Sequence, residues 1–309
     1  MPTPLLEIED LVVRYRRPGA APLDALRGVS LTVAAGEALG IVGESGSGKS
    51  TLVRAIVGLV SPHSGRIRYE GADVAGFDRA ARARYRRRVQ MVFQDATGSL
   101  NPRMTVHAML EEALRVHGLW PGTECGARSA ECGVRVASQA VGQLDHPTSD
   151  HPTSDLRPLT SDPILRLLAE VGLPPEARGA YPRELSGGQC QRVSLARCLA
   201  LEPRVLLADE PVSALDVSVQ ARVLNLLRRL QRRHGLALVL VSHDLAVVRS
   251  VCDRVCVLLE GRIVEQGPVD EVLAQPQHAY TRTLLAAVPD IDRALASAGV
   301  FPYSNGPAG

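Results

Sequence analysis

Lysine is almost absent from this sequence. Of the 35 lysines and arginines among its 309 residues, only Lys49 is a lysine. Arginine replaces lysine at most solvated positions, since both carry a charge on a flexible stem. It does not readily replace a compact ammonium folded over a phosphate, so the surviving lysine marks a position with a chemical demand. Aromatic residues are scarce too, at 3%, which leaves few rings for stacking nucleic-acid bases. No apolar run approaches the roughly 20 residues of a membrane-spanning helix; Leu236 to Val241 is among the longest. The first residues, Met1-Pro2-Thr3-Pro4-Leu5-Leu6-Glu7, have neither the basic flank nor the apolar stretch of a signal peptide. The six cysteines (Cys125, Cys132, Cys190, Cys198, Cys252 and Cys256) form no CxxC pair and no metal-type spacing. Reduced thiols in a cytoplasmic protein are expected, with Cys252 and Cys256, set among valines, as small buried hydrophobes. A net charge of +2 gives no global reason to expect a nucleic acid or an acidic partner.

What is present is an alternation of short apolar runs with helical patterns, which predicts an α/β core with a mostly parallel sheet. Ala38 to Val42, Val205 to Ala208 and Leu238 to Val241 read as buried strands, each ending at a polar or glycine residue. Ligands in such sheets bind beyond the carboxyl ends of the strands. Val219, Val223, Leu226, Leu227 and Leu230 follow helical spacing with arginines on the other face. The stretch 121–163 differs. It carries the tandem repeat His146-Pro147-Thr148-Ser149-Asp150 and His151-Pro152-Thr153-Ser154-Asp155, with frequent proline and few apolar residues. A flexible, solvated insertion is expected there rather than a packed core or a metal site, and the tail 299–309 is expected to be mobile.

Lys49 lies in Gly43-Glu44-Ser45-Gly46-Ser47-Gly48-Lys49-Ser50, followed by Thr51. This is G-x-x-x-x-G-K-[ST], the phosphate-binding loop, here between an apolar strand and a helical pattern. Its glycines let backbone N–H groups turn toward phosphates, and the helix beginning near Lys49 adds its positive end. Lys49 is predicted to bridge the outer phosphates of a nucleotide and Ser50 to help hold Mg²⁺. Asp209-Glu210 ends a second apolar strand. Asp209 is the predicted magnesium ligand, and Glu210 the group that orients or deprotonates an attacking water.

Leu185-Ser186-Gly187-Gly188-Gln189 opens an amphipathic helix, with Ser186 a good N-cap. Together with the phosphate loop it resembles the signature motif of the ATP-binding cassette (ABC) ATPases. The resemblance runs along nearly the whole chain. Tyr15 lies where that family stacks an aromatic ring on adenine. Gln94, in Val92-Phe93-Gln94-Asp95, is similar to the glutamine loop that senses Mg²⁺ and the membrane partner. Ser213-Ala214-Leu215-Asp216 resembles the loop that crosses the dimer interface, and His243, in Ser242-His243-Asp244, the switch histidine that contacts the γ-phosphate. The resemblance implies a P-loop NTPase ABC nucleotide-binding domain with a mostly parallel core sheet, an antiparallel β subdomain and an α-helical subdomain. It places the ATPase domain in 1–270, its helical subdomain in about 95–200, and a C-terminal segment in 271–309. ATP and Mg²⁺ are the implied ligands. Ser186, Gly187, Gly188, Gln189 and Asp216 are expected to reach the ATP held by the opposite subunit.

Two segments narrow the resemblance. Ser99-Leu100-Asn101-Pro102-Arg103-Met104-Thr105-Val106 and His278-Ala279-Tyr280-Thr281-Arg282-Thr283-Leu284-Leu285 look like the ATPase subunits of oligopeptide, dipeptide and nickel importers. Such a subunit sits peripherally on the cytoplasmic face of the membrane. It pairs with a second ATPase, identical or paralogous, and docks on two transmembrane permease subunits that work with an extracytoplasmic solute-binding protein. Peptide is the leading cargo and nickel the next. A soluble ABC ATPase of DNA repair would carry sustained coiled-coil heptads, which are missing; one of translation would join two cassettes. A non-ABC P-loop kinase would work without dimerising. The chain departs from the pattern at Cys190, where a basic or polar residue is usual, and at Ala279, where proline is usual. Many relatives end in a cysteine-bearing extension; no cysteine follows Cys256, so no iron–sulphur cluster is expected. The run Arg79, Arg82, Arg84, Arg86, Arg87 and Arg88 is expected to be a solvated face before a core strand.

Overall fold

A computed structural model describes residues 4–17, 19–121, 162–213 and 215–286 of the chain. The tandem repeat, Cys125, Cys132, Ala214 and the tail beyond 286 lie outside the described residues. The strands are β1 (Leu6–Arg17), β2 (Ala20–Val33), β3 (Ala38–Val42), β4 (Ser64–Tyr69), β5 (Ala72–Asp73), β6 (Val89–Val92), β7 (Val205–Asp209), β8 (Ala237–Ser242), β9 (Arg254–Leu259) and β10 (Arg262–Pro268). The helices are α1 (Lys49–Ile56), α2 (Arg79–Arg88), α3 (Ala96–Ser99), α4 (Val106–Val116), α5 (Pro163–Glu170), α6 (Gly187–Leu199), α7 (Val217–His234), α8 (Leu245–Val251), α9 (Val269–Ala274) and α10 (Ala279–Ala286).

Two sheets organise these elements. The main sheet runs β10-β9-β3-β8-β7-β6, with β9, β3, β8, β7 and β6 parallel and β10 antiparallel at one edge. The second is antiparallel, in the order β2-β1-β4-β5. The predicted mostly parallel core and the antiparallel β layer are both present.

Alternation along the central strands explains the layering. Leu39 and Ile41 of β3, Val205 and Leu207 of β7, and Val239 and Val241 of β8 face one core, shared with Leu6, Ile8 and Leu11 of β1 and Leu52 and Ile56 of α1. Their neighbours Leu206, Ala208, Leu238 and Leu240 face the other, against Leu110, Ile164, Val193, Leu195, Val223 and Leu227 from the helices. A strand buried on both faces needs no polar residue, so β3, β7 and β8 read as unbroken apolar runs. Gly40 admits α8 to the sheet, since a Cβ there would lie 2.3 Å from Val248 Cγ1.

The helices are set by their caps. The Asp216 carboxylate accepts from Val219 N at α7's start, and Gly235, at φ +60°, ends that helix in the left-handed conformation. The arginine-rich run forms α2, capped by Asp78, and leads into β6. Arg79, Arg82, Arg84 and Arg86 are exposed, as expected of a solvated face, while Arg87 and Arg88 are half-buried. Arg87 donates to Leu201 O and pairs with Glu202, and Arg88 donates to Glu202 O. Those two guanidiniums tie α2 to the turn after α6. No helix among the described residues is long and apolar enough to cross a membrane.

Candidate functional site

The loop between β3 and α1 stands at the carboxyl end of the sheet's central strand. Gly43, Gly46 and Gly48 have φ of +153°, +85° and +109°, conformations that glycine takes without strain. Gly48 occupies the N-cap of α1 and has no side chain to cap with. The helix therefore begins with N–H groups that lack intrahelical acceptors, arranged as an anion would need them. Beside them Lys49 is buried, at 5% exposure. Its ammonium donates to Gly43 O at 2.7 Å and Glu44 O at 2.8 Å. Burial lowers its pKa, opposed by the Glu210, Asp209 and Glu44 carboxylates. A positive group held this way, over bare helix N–H groups, fits the outer phosphates of a nucleotide.

The acidic part of the site arrives from β7. Asp209, its last residue, is 2% exposed and accepts from the Ser50 hydroxyl at 2.9 Å. Burial pushes the Asp209 carboxyl above its ordinary range, against the hydrogen bond from Ser50 and the nearby Arg54. A hydroxyl and a carboxylate in contact are the hard oxygen donors that Mg²⁺ takes. Glu210 follows at φ +45°, a strained conformation for a side-chain-bearing residue, which turns its carboxylate out of the sheet. Gln94 Nε2 donates to Glu210 Oε2 at 3.2 Å, and His243 Nδ1 lies 3.5 Å from the same oxygen. Gln94 follows β6 and His243 follows β8, so three strand ends converge on one carboxylate.

The remaining predicted residues divide. Tyr15, in β1, is partly exposed, and its hydroxyl lies 3.5 Å from Thr51 Oγ1, which places it beside the loop. Glu44, Ser45 and Gly46 are exposed at the loop's crest, and Ser47 is buried. Ser186 and Gln189 form a reciprocal capping box at the start of α6: Gln189 N donates to Ser186 Oγ, and Ser186 N donates to Gln189 Oε1. Among the described residues no hydrogen bond or ion pair joins Ser186, Gly187, Gly188 or Gln189 to Lys49, Asp209 or Glu210. Ser186 and Gly187 are exposed instead. Asp216 is engaged in capping α7, and its hydrogen bonds from Ser218 and Val219 hold its pKa low. Cys190 is buried with its Sγ near Pro182 O, facing away from solvent.

Sequence reasoning missed one contact. Glu44 N donates to the Tyr280 hydroxyl at 2.8 Å. Tyr280 belongs to the C-terminal segment noted above, but no local pattern ties that segment to a loop so distant in sequence.

A six-stranded mixed sheet carrying a phosphate loop, a strand-end Asp-Glu pair and a Ser-Gly-Gly helix start defines a P-loop NTPase of the ATP-binding cassette class. The chain belongs to the ABC transporter family, whose description matches residues 26–213, and residues 264–302 match the oligopeptide/dipeptide transporter C-terminal region. A relative from Brucella ovis, provisionally named a peptide import ATP-binding protein, is 43% identical over 290 residues, spanning 94% of this chain and 80% of its own. The oligopeptide transport ATP-binding protein OppF of Salmonella typhimurium is 42% identical over 293 residues, spanning 92% and 78%. Among solved structures, the dimeric post-hydrolysis state of the ATP-binding cassette MJ0796 with ADP and Pi superposes with a TM-score of 0.64. It is 26% identical and covers 85% of this chain and 98% of that one.

Proposed function

We propose that this chain is the ATP-hydrolysing subunit of a membrane importer for di- or oligopeptides. The convergence of Gln94 and His243 on the Glu210 carboxylate, next to the Ser50–Asp209 pair, carries the reading. In it, Gly43 to Thr51 cradle the nucleotide's phosphates, Tyr15 lies against the base, and Lys49 trades its carbonyl partners for phosphate oxygens. Ser50, Asp209 and Gln94 would hold Mg²⁺, which supplies charge neutralisation on the outer phosphates. The Glu210 carboxylate accepts the proton of a water that attacks the terminal phosphorus. The bond to the leaving ADP oxygen breaks, and inorganic phosphate forms. Gln94 and His243 hold the carboxylate in place, and in this reading His243 also contacts the terminal phosphate.

The Ser186-Gly187-Gly188-Gln189 turn, exposed at Ser186 and Gly187, and the adjoining Asp216 complete a site on a second ATPase subunit, which explains why they do not meet this chain's own Lys49. Closure of such a pair would drive two permease subunits, with the chain held at the cytoplasmic face and a solute-binding protein delivering cargo outside. Peptide is favoured over nickel by the match at residues 264–302 and by the name of the Salmonella relative. The test is co-purification of the tagged chain from its own membranes, followed by ATPase assay with added peptides or nickel. Permease subunits and peptide-stimulated turnover are expected. Ribosomes or DNA in their place would overturn the reading, and stimulation by nickel alone would overturn the cargo.

A further inference from the structure

The peptide group between Gly43 and Glu44 is held at both ends. Its carbonyl accepts from the Lys49 ammonium at 2.7 Å, and its N–H donates to the Tyr280 hydroxyl at 2.8 Å. The group follows Gly43, whose φ of +153° and lack of room for a Cβ mark it as a point where the chain turns sharply. Few other constraints act on it, since Glu44 is exposed. The phenol comes from far along the chain, at the start of α10, and its ring packs on the helical core.

That delivery is itself organised. The Glu265 carboxylate, in β10, accepts from Gln277 N at 2.7 Å, His278 N at 3.0 Å and the fully buried Thr281 hydroxyl. His278 Nδ1 in turn accepts from Tyr280 N at 3.2 Å. One acidic side chain thus fixes the chain direction just before α10 and aims the phenol at the loop. The ring alone would pack as well in phenylalanine. The hydroxyl has one hydrogen-bond partner among the described residues, the N–H of Glu44.

We propose that Tyr280 is a positioning residue for the phosphate loop, and that the Glu265 clasp makes the C-terminal segment a lever on nucleotide affinity. The proposal rests on the reading of this loop as the ATP site. When Lys49 turns to a phosphate, the Gly43 carbonyl loses its partner and the phenol remains the group that holds the peptide's orientation. Without it the peptide rotates, and the cradle must be ordered by the nucleotide itself.

Tyr280→Phe in the full chain tests this. In the nucleotide-free protein, hydrogen exchange at the Glu44 amide should rise about tenfold or more, as a protecting acceptor is lost. The Kd for a fluorescent ATP analogue should rise about 3- to 10-fold, the range for one lost hydrogen bond, with kcat at saturating ATP within about twofold. The urea midpoint should fall by no more than the roughly 0.2–0.5 M that one hydrogen bond is worth. Glu265→Ala should raise the Kd similarly, and the double variant should be no weaker than Glu265→Ala alone. Wild-type exchange and Kd in Tyr280→Phe would overturn the proposal, and so would a fall in stability that accounts for the whole change in Kd. If Glu44 exchange rises while the wild-type chain binds no nucleotide, the orientation claim stands and the ATP-site reading falls.

Discussion

Replacing Gly43 by alanine separates two reasons for a glycine in a phosphate loop. One is that backbone N–H groups must approach a phosphate, which matters only with ligand bound. The other is steric and holds in the empty protein. At Gly43 a Cβ would lie 2.2 Å from Leu258 O and 2.8 Å from Ser47 Oγ. The carbonyl belongs to β9, which is bonded into the sheet between β3 and β10, and cannot retreat without breaking a ladder. Backbone strain at a φ of +153° adds about 1–3 kcal/mol, and the overlap about 1–3 kcal/mol more. Gly46 is the control: its φ of +85° brings similar strain, but a Cβ there meets nothing within 4 Å. The two variants should therefore differ by the overlap alone. At a urea slope of about 3 kcal/mol per molar, that is a midpoint about 0.3–1 M lower for Gly43→Ala. Unfolding followed by circular dichroism without nucleotide reads the difference. Equal midpoints would refute the steric overlap as a reason for Gly43.

Glu210→Gln should slow steady-state phosphate release by on the order of 10²–10⁴-fold, the loss expected for a general base, while keeping ATP binding; near-normal turnover would remove Glu210 from that role. Ser186→Ala removes the acceptor of Gln189 N at the start of α6 and should cost about 0.5–2 kcal/mol in chemical denaturation, in addition to slowing hydrolysis. Glu265 links stability to pH. Burial raises its pKa, but the hydrogen bonds from Thr281, Gln277 and His278 outweigh that and leave it lowered. Its contribution is complete above the ordinary value of about 4.3 and disappears as pH falls through the lowered one. The gap in thermal midpoint between wild type and Glu265→Gln should accordingly close on titration from pH 7 toward pH 3, and a constant gap would contradict the clasp. The Cys198 and Cys256 thiols, whose pKa burial pushes up to about 12, should resist alkylation until the protein is unfolded, as read by mass spectrometry.

The parts of the fold that were legible are those written in contiguous residues. β3, β7 and β8 are buried on both faces, so each appears as an apolar run, and the phosphate loop and the Ser186 capping box are local turn chemistry. The antiparallel sheet was not readable from periodicity, because β1 departs from regular register with β2 at several points, which blurs its alternation; it followed from the family resemblance. Asp216 read as an interface residue, and its cap on α7 went unread, although any Asp three residues before a helical N–H can take that role. The steric demands on Gly43 and Gly48 come from Leu258 and Ala25, which only the tertiary fold brings to the loop. The same holds for Tyr280 against Glu44 and for Arg87 against Glu202. Contacts of that kind leave no trace in spacing.

Equilibrium binding of ATP to the purified chain, by titration calorimetry with wild type and Lys49→Ala side by side, tests the central assignment most directly. One nucleotide per wild-type chain is expected, with a large loss of affinity when the Lys49 ammonium is removed. A wild-type chain that binds no ATP, or a Lys49→Ala chain that binds it equally well, would contradict that assignment.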